Sequence, residues 1–142
     1  MSDIEFKVHF HDLACVDKRF TDGFIEELKR AVGSGSYILG KDLLDFESEF
    51  GHYLGAGDVV GVGNCTDGLY LSLKALNIGV GSEVITTPMS YVSSTSSIVL
   101  AGAKPVFSDV DLSLCLDPNH IESQINSKTR AILAVHLGGN PA

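Results

Sequence analysis

Residues 83–111, EVITTPMSYVSSTSSIVLAGAKPVFSDVD, contain the pattern that decides the fold. The run EVITTP predicts a buried strand, and the residue before Pro88 is restricted to an extended conformation. A helix is expected over about residues 91–101, and Gly102 ends it. The run KPVFSDVD then predicts a second strand. This order of strand, helix and strand is typical of layered α/β proteins.

The same alternation continues on both sides of this stretch. Upstream, VVGVG at residues 59–63 predicts a strand, and the helix expected after it has three leucines on one face: Leu69, Leu73 and Leu76. Downstream, Asp117 is expected to cap a helix with Pro118 at its first position, and TRAILAVH at residues 129–136 predicts a further strand. Apolar strands that alternate with helices predict an α/β fold with a mostly parallel sheet flanked by helices.

Residues 1–57 are expected to form an N-terminal arm and two helices. Thr21 is the expected N-cap of the first helix, whose apolar positions fall on one face: Phe24, Ile25, Leu28, Ala31 and Val32. The second helix is expected over residues 41–54, with a buried stripe: Leu43, Phe46, Phe50, Tyr53 and Leu54. We therefore expect a domain boundary between residues 57 and 58.

Composition excludes several classes of protein. The chain has 142 residues, of which 44% are hydrophobic and 20% charged, so a globular core is expected. Its net charge of −8 disfavours nonspecific binding to nucleic acids and to anionic membranes. Neither a signal peptide nor a membrane-spanning segment is evident.

The three cysteines, Cys15, Cys65 and Cys115, are far apart and have no CxxC spacing. They are expected to be reduced thiols of a cytoplasmic protein, and neither a disulfide framework nor a zinc site. The sequence ends at AILAVHLGGNPA, a strand-like run followed by the start of a loop. We therefore expect these residues to be the front part of a longer protein.

A short polar turn interrupts the sequence GVGNCTDGLY at residues 61–70. A helix that begins there would present unpaired backbone N–H groups, which suit a phosphate, and Gly63 would let the ligand approach the backbone. The Thr66 hydroxyl could add a hydrogen bond, whereas the Asp67 carboxylate should point away. The alternative is that Asn64, Thr66 and Asp67 only cap a helix. The turn is neither a Walker A loop nor a GxGxxG motif.

Several spaced blocks together resemble one family. They are Gly63 to Leu69, Leu76 to Ile85, Tyr91, and Gly102 to Asp111, with YILGKDLLDFESEF before them and TRAILAVHLGGNPA after them. These blocks are similar to the DegT/DnrJ/EryC1/StrS family of pyridoxal-phosphate-dependent sugar aminotransferases. The resemblance implies that residues 58–142 are the first part of a fold type I large domain, as in aspartate aminotransferase.

The resemblance also implies roles for individual residues. The predicted cofactor-binding residues are Cys65, Thr66, Asp67 and Tyr91. The N–H groups of Thr66 and Asp67 and the Thr66 hydroxyl would bind the cofactor phosphate, and Tyr91 would stack on the pyridine ring. Tyr91 could instead be a core residue. Cys65 stands where many members have Gly, and whether it lines the site is left open.

The implied reaction is transfer of an amino group, from glutamate or glutamine, to a keto sugar on a nucleotide by a homodimer. The lysine that binds the cofactor and the acidic partner of its pyridine nitrogen are expected beyond residue 142, so no catalytic residue is assigned here and residues 1–142 alone are expected to be inactive. Two alternatives stay open. One is a nucleotide-sugar dehydratase of the same family, with histidine in place of the lysine, and the other is a non-catalytic binding chain.

Other polar residues carry weaker expectations. His9, His11 and Asp12 could suggest a metal site, although alternation in a strand-like arm explains them equally well. His136 follows the last predicted strand, near the edge where α/β proteins bind ligands. Asp109 and Asp111 are expected to cap a turn, and Lys74 to be a solvated surface residue.

Overall fold

The computed structural model describes residues 17–142. It divides into two compact units, of which one ends at Gly61 and the other runs from Val62 to Ala142. The expected domain boundary after residue 57 stays a prediction. The N-terminal arm, Cys15 and the candidate metal ligands His9, His11 and Asp12 lie outside the described residues.

Helix α1, Lys18–Ser34, begins four residues earlier than expected. Its N-cap is Asp17, whose carboxylate accepts the Arg19 N–H at 2.7 Å, so the expected cap at Thr21 is wrong. Asp is an efficient N-cap because its oxygen satisfies an N–H of the first turn. The Thr21 hydroxyl instead donates to the Asp17 carbonyl from inside the helix. Gly35 ends α1 with a φ of 68°, a left-handed conformation that suits glycine.

Helix α2, Lys41–Leu54, has the expected bounds. Its expected buried stripe is wrong, because Gly51 is the buried residue of α2 and the stripe is half-buried at Leu43 and exposed at its other four positions. Phe46 stacks on Phe50 and Phe50 on Tyr53, with ring centroids 5.5 and 6.2 Å apart. Helical periodicity correctly grouped these residues on one face, but burial also requires an opposing surface.

The strand expected at residues 59–63 is not formed. The Gly61 N–H donates to the Glu47 carboxylate at 2.7 Å, so its hydrogen bond goes to a helix side chain and not to a neighbouring strand. A strand needs a paired partner, which a local run of Val and Gly does not supply.

The second unit is an α/β structure, as expected. Its elements in chain order are α3 (Cys65–Ala75), β1 (Glu83–Thr86), α4 (Ser93–Leu100), β2 (Lys104–Phe107), α5 (Pro118–Gln124), β3 (Thr129–Leu133) and a 3-10 turn at Leu137–Gly139. The three strands form one sheet in the order β2-β1-β3, and both pairings are parallel. This confirms the parallel sheet and the alternation of helices and strands from residue 65 onward.

The core is centred on strand β1, whose four residues are all buried between its two neighbours. Helix α4 packs against β1 and β2, and α3 packs against α4. The buried apolar cluster consists of Leu73, Ile78, Val84, Ile98, Ala101 and Ala103, with Tyr70, Ala131 and Leu133 packed against it. This packing fixes where the first turns of α3 and α4 lie relative to each other.

Two polar turns agree with expectation. Asp117 caps α5 by accepting the Asn119 N–H, with Pro118 at the first helical position. The Asp111 carboxylate accepts the N–H and the hydroxyl of Ser113, which confirms its capping role and holds its pKa below the usual range. Its counterpart Asp109 accepts the Val110 N–H.

Glu83 connects all three strands at their amino ends. From the start of β1, its carboxylate accepts Lys104 Nζ of β2 at 3.2 Å and Asn126 Nδ2, just before β3, at 2.8 Å. These hydrogen bonds lower the pKa of Glu83 below its ordinary value of 4.5, and the one from Asn126 has the larger effect.

We expect the ionisation of Glu83 to make the free energy of unfolding depend on pH in the acidic range. Because its pKa is lower in the folded state, its contribution is fully present above pH 4.5 and is lost as the pH falls through the folded-state pKa. Glu83→Gln should be less stable than wild type at neutral pH and should lose less stability on acidification. Urea unfolding across this range measures both, with Glu122→Gln, an exposed carboxylate on α5, as the matched control. Parallel pH profiles for wild type and Glu83→Gln would contradict the assignment.

No helix among residues 17–142 is both long and apolar enough to cross a membrane. Across the same residues, no group of three or more His, Cys, Asp or Glu side chains could hold a metal ion. Cys65 is exposed and Cys115 is buried, and both are free thiols.

Candidate functional site

The turn at residues 63–67 lies where the first turns of α3 and α4 meet. Helix α4 follows the carboxyl end of β1, and the Thr66 hydroxyl in α3 lies 2.7 Å from the Ser93 hydroxyl in α4. The turn is therefore at the carboxyl edge of the parallel sheet, the edge at which α/β proteins bind ligands.

Asn64 is the N-cap of α3 and makes two hydrogen bonds with Asp67. Its side-chain oxygen accepts the Asp67 N–H at 2.9 Å, and its Nδ2 donates to the Asp67 carboxylate at 2.8 Å. The carboxylate therefore lies beside the cap, and the expectation that it points away from a phosphate stays a prediction. A Cβ atom on Gly63 would come within 3.2 Å of Asp67 Oδ2, so a small residue at position 63 leaves room for this arrangement.

The capping bond determines which backbone donors a ligand can use. Because the Asp67 N–H is bonded to Asn64, the role predicted for it with the phosphate requires that side chain to give way. The N–H groups of Cys65 and Thr66 find no acceptor within residues 17–142. Two free donors at the positive end of a helix form a suitable cradle for an anion.

Thr66 adds a half-buried hydroxyl to these donors. Its partner Ser93 was missed by sequence reasoning, because it is one of several serines in the run SSTSS and sits 27 residues away. Only the packing of α3 against α4 brings the two hydroxyls together.

Tyr91 is on the surface and outside the core, since 79% of it is exposed. Its carbonyl accepts the Ser94 N–H at 3.1 Å in the first turn of α4, which fixes the backbone while the ring stays accessible. The alternative that Tyr91 is a core residue is therefore wrong. Its stacking role stays a prediction.

No lysine of residues 62–142 lies at this edge. Lys104 and Lys128 are at the amino ends of β2 and β3, and Lys74 is exposed near the carboxyl end of α3, which confirms its assignment as a surface residue. His136 is exposed, and its Nδ1 accepts the Ala142 N–H at 2.8 Å. The site therefore offers anion donors and an accessible aromatic ring, but no amine nucleophile.

A cavity of about 200 Å³ lies at the opposite, amino edge of the sheet, beside Glu83, Lys104 and Lys128. It is separate from the turn at residues 63–67. The Glu83 carboxylate, bonded to Lys104 and Asn126, offsets the basic charge there.

The fold and this donor set define an α/β protein in which a helix N-terminus presents two backbone donors at the carboxyl edge of a parallel sheet. Residues 18–142 match the model of the DegT/DnrJ/EryC1/StrS aminotransferase family. The chain belongs to this family.

Known proteins of similar sequence and structure agree with this assignment. The dTDP-3-amino-3,6-dideoxy-alpha-D-galactopyranose transaminase of Aneurinibacillus thermoaerophilus is 39% identical in sequence. The match covers 93% of this chain and 37% of the length of the transaminase. DesV of S. venezuelae is 38% identical with a TM-score of 0.89, over 95% of this chain and 37% of its own. NtdA of Bacillus subtilis, solved with bound cofactor PMP, is 27% identical with a TM-score of 0.90, over 100% of this chain and 33% of its own.

These neighbours confirm the expected fold class, the front part of a fold type I large domain. The chain spans about a third of the length of the curated relatives it matches, 30% of one and 37% of another.

Proposed function

We propose that this chain supplies the phosphate-binding part of a pyridoxal-phosphate-dependent aminotransferase that acts on a keto sugar attached to a nucleotide. The observation that carries the proposal is the pair of N–H groups at Cys65 and Thr66 that find no acceptor among the described residues, with the Thr66 hydroxyl beside them, in a chain of this family. The 39% identity to a dTDP-sugar transaminase supports the substrate class.

The residues at the carboxyl edge fit the cofactor. A phosphate dianion needs hydrogen-bond donors and benefits from the helix dipole, and α3 supplies both. The exposed ring of Tyr91 offers a flat surface for the pyridine ring. Cys65 contributes a backbone donor, and its short side chain leaves room for a close approach.

When bound, pyridoxal phosphate supplies an electron sink that stabilises negative charge on a substrate carbon. The described residues would bind and orient this cofactor. Asn64 restrains the Asp67 carboxylate beside the helix cap, which limits the repulsion between this carboxylate and a phosphate. We assign the covalent attachment and the proton transfers to a lysine expected beyond residue 142. We also propose glutamate as the amino donor, a homodimer as the assembly and the cytoplasm as the location.

An assay of the intact gene product tests the function. The protein is incubated with pyridoxal phosphate, glutamate and a dTDP- or UDP-linked keto sugar, and the products are analysed by mass spectrometry. We expect an amino sugar nucleotide and an equal amount of 2-oxoglutarate. Loss of water from the sugar without amine transfer would assign the protein to the dehydratases, and bound cofactor without turnover on the panel would overturn the substrate class. Residues 1–142 alone are expected to be inactive.

Tyr91→Ala should weaken cofactor binding without unfolding the protein. Aromatic stacking contributes about 0.5–1.5 kcal/mol, so the dissociation constant for pyridoxal phosphate should rise roughly 2- to 10-fold. The melting temperature of the apo protein should be unchanged, because the ring is mostly exposed. Tyr91→Phe keeps the ring and should bind like wild type. A lower melting temperature with unchanged affinity would remove Tyr91 from the site.

A further inference from the structure

The contact between Thr66 and Ser93 joins the two helices at the proposed phosphate site. Thr66 is the second residue of α3, Ser93 is the first residue of α4, and their hydroxyl oxygens are 2.7 Å apart in a half-buried position. Without a ligand, either hydroxyl can be the donor. Each hydroxyl carries one proton and can accept two hydrogen bonds.

A bound phosphate removes this ambiguity. The oxygens of a phosphate dianion only accept hydrogen bonds, so the Thr66 hydroxyl must donate its one hydrogen bond to the phosphate. Its oxygen can then interact with Ser93 only as an acceptor, and the Ser93 hydroxyl becomes the donor. A hydroxyl that accepts a hydrogen bond is polarised and donates more strongly, which reinforces the bond to the anion.

The other serine hydroxyls of α4 are engaged differently. Ser96 and Ser97 donate to carbonyls of their own helix, those of Ser93 and Ser94, and the Ser94 hydroxyl pairs with that of Ser90 just before α4. Ser93 is thus the α4 serine whose hydroxyl reaches α3. Within residues 17–142 it is also the hydrogen-bond partner of the Thr66 side chain.

We infer that Ser93 is a positioning residue, which orients the Thr66 hydroxyl so that its proton faces the cofactor phosphate. This inference rests on the proposed function, because it requires a phosphate at the N-terminus of α3. Removing the Ser93 hydroxyl leaves Thr66 in place but free to rotate about its side-chain bond.

The test compares pyridoxal 5′-phosphate with pyridoxal, which lacks the phosphate. Dissociation constants are measured by absorbance titration of the intact apo gene product. Ser93→Ala should weaken binding of pyridoxal 5′-phosphate roughly 2- to 10-fold, the effect of one hydrogen bond. Binding of pyridoxal should not change. Ser93→Thr, which restores a hydroxyl, should bind both like wild type, and Ser96→Ala, a hydroxyl deletion on the same helix, should have no effect.

A double-mutant cycle with Thr66→Val completes the test. If Ser93 acts through Thr66, then Ser93→Ala should cost nothing further in the Thr66→Val background, and the ³¹P resonance of the bound cofactor should shift in Ser93→Ala and return in Ser93→Thr. Equal weakening of both ligands, additive losses, or unchanged affinity in Ser93→Ala would overturn the inference while leaving the phosphate site intact. If Thr66→Val itself has no effect on the phosphate ligand, the proposed site fails instead.

Discussion

Replacing Thr66 with valine is expected to weaken binding of pyridoxal phosphate by about 10- to 100-fold, since hydrogen bonds to charged groups contribute about 1.5–3 kcal/mol. Valine has nearly the shape of threonine, so the change removes the hydroxyl and leaves the packing of α3 against α4 in place. It also leaves the Ser93 hydroxyl without its partner, which should lower stability slightly. Equilibrium dialysis of the intact gene product measures the affinity.

Two variants separate the phosphate contact from a general effect on the helix. Thr66→Ser keeps the hydroxyl and should retain most of the affinity. Ser72→Ala removes a hydroxyl that donates to the Gly68 carbonyl further along α3, and should bind the cofactor normally. Unchanged affinity in Thr66→Val, or an equal loss in Ser72→Ala, would sink the assignment of the phosphate to this turn.

Ile98→Ala is expected to destabilise the protein by about 2–5 kcal/mol, the usual cost of removing a large aliphatic side chain from a core. Ile98 is completely buried and belongs to the cluster that includes Leu73 and Val84. The cavity would lie among α3, α4 and β1, and so would loosen the elements that hold Thr66 beside Ser93. Urea unfolding measures the loss of free energy of unfolding, and amide hydrogen exchange across β1 shows where protection is lost.

The neighbouring residue offers a close control. Val99 lies on the same helix but is 57% exposed, so Val99→Ala deletes apolar atoms with little change in burial. Its effect should stay within about 0.5 kcal/mol, as for most surface substitutions. Comparable destabilisation by the two substitutions would mean that the cluster around Ile98 is not the core of this unit.

The sequence predicted the parts of the fold whose local pattern matches their environment. The run EVIT at residues 83–86 contains three β-branched residues in succession and lies at the centre of the sheet, so propensity and burial agree. The strand expected at residues 59–63 also contains β-branched valines, yet the structure gives it no strand partner. Pairing is a property of the tertiary structure, and a short run of Val and Gly does not encode it.

The site was predictable where it depends on one segment. The backbone donors of the turn at residues 63–67 were predictable because capping residues and a helix start follow one another in the chain. The competition for the Asp67 N–H was harder to foresee, since Asn64 was equally able to point elsewhere. The contribution of Ser93 was hidden in a serine-rich run, because its partner is defined by how two helices pack.

The two hydrogen bonds of the Glu83 carboxylate mean that the two ends of the sheet have different roles. The Glu83 carboxylate joins the amino ends of all three strands, whereas the opposite edge carries the turn that we propose binds the cofactor phosphate. An engineer could therefore exchange residues at the carboxyl edge, such as Tyr91 or Ser93, without touching the Glu83 hydrogen bonds. Evolution can therefore change side chains at the carboxyl edge of the sheet while the Glu83 hydrogen bonds at the amino edge keep the strands in register.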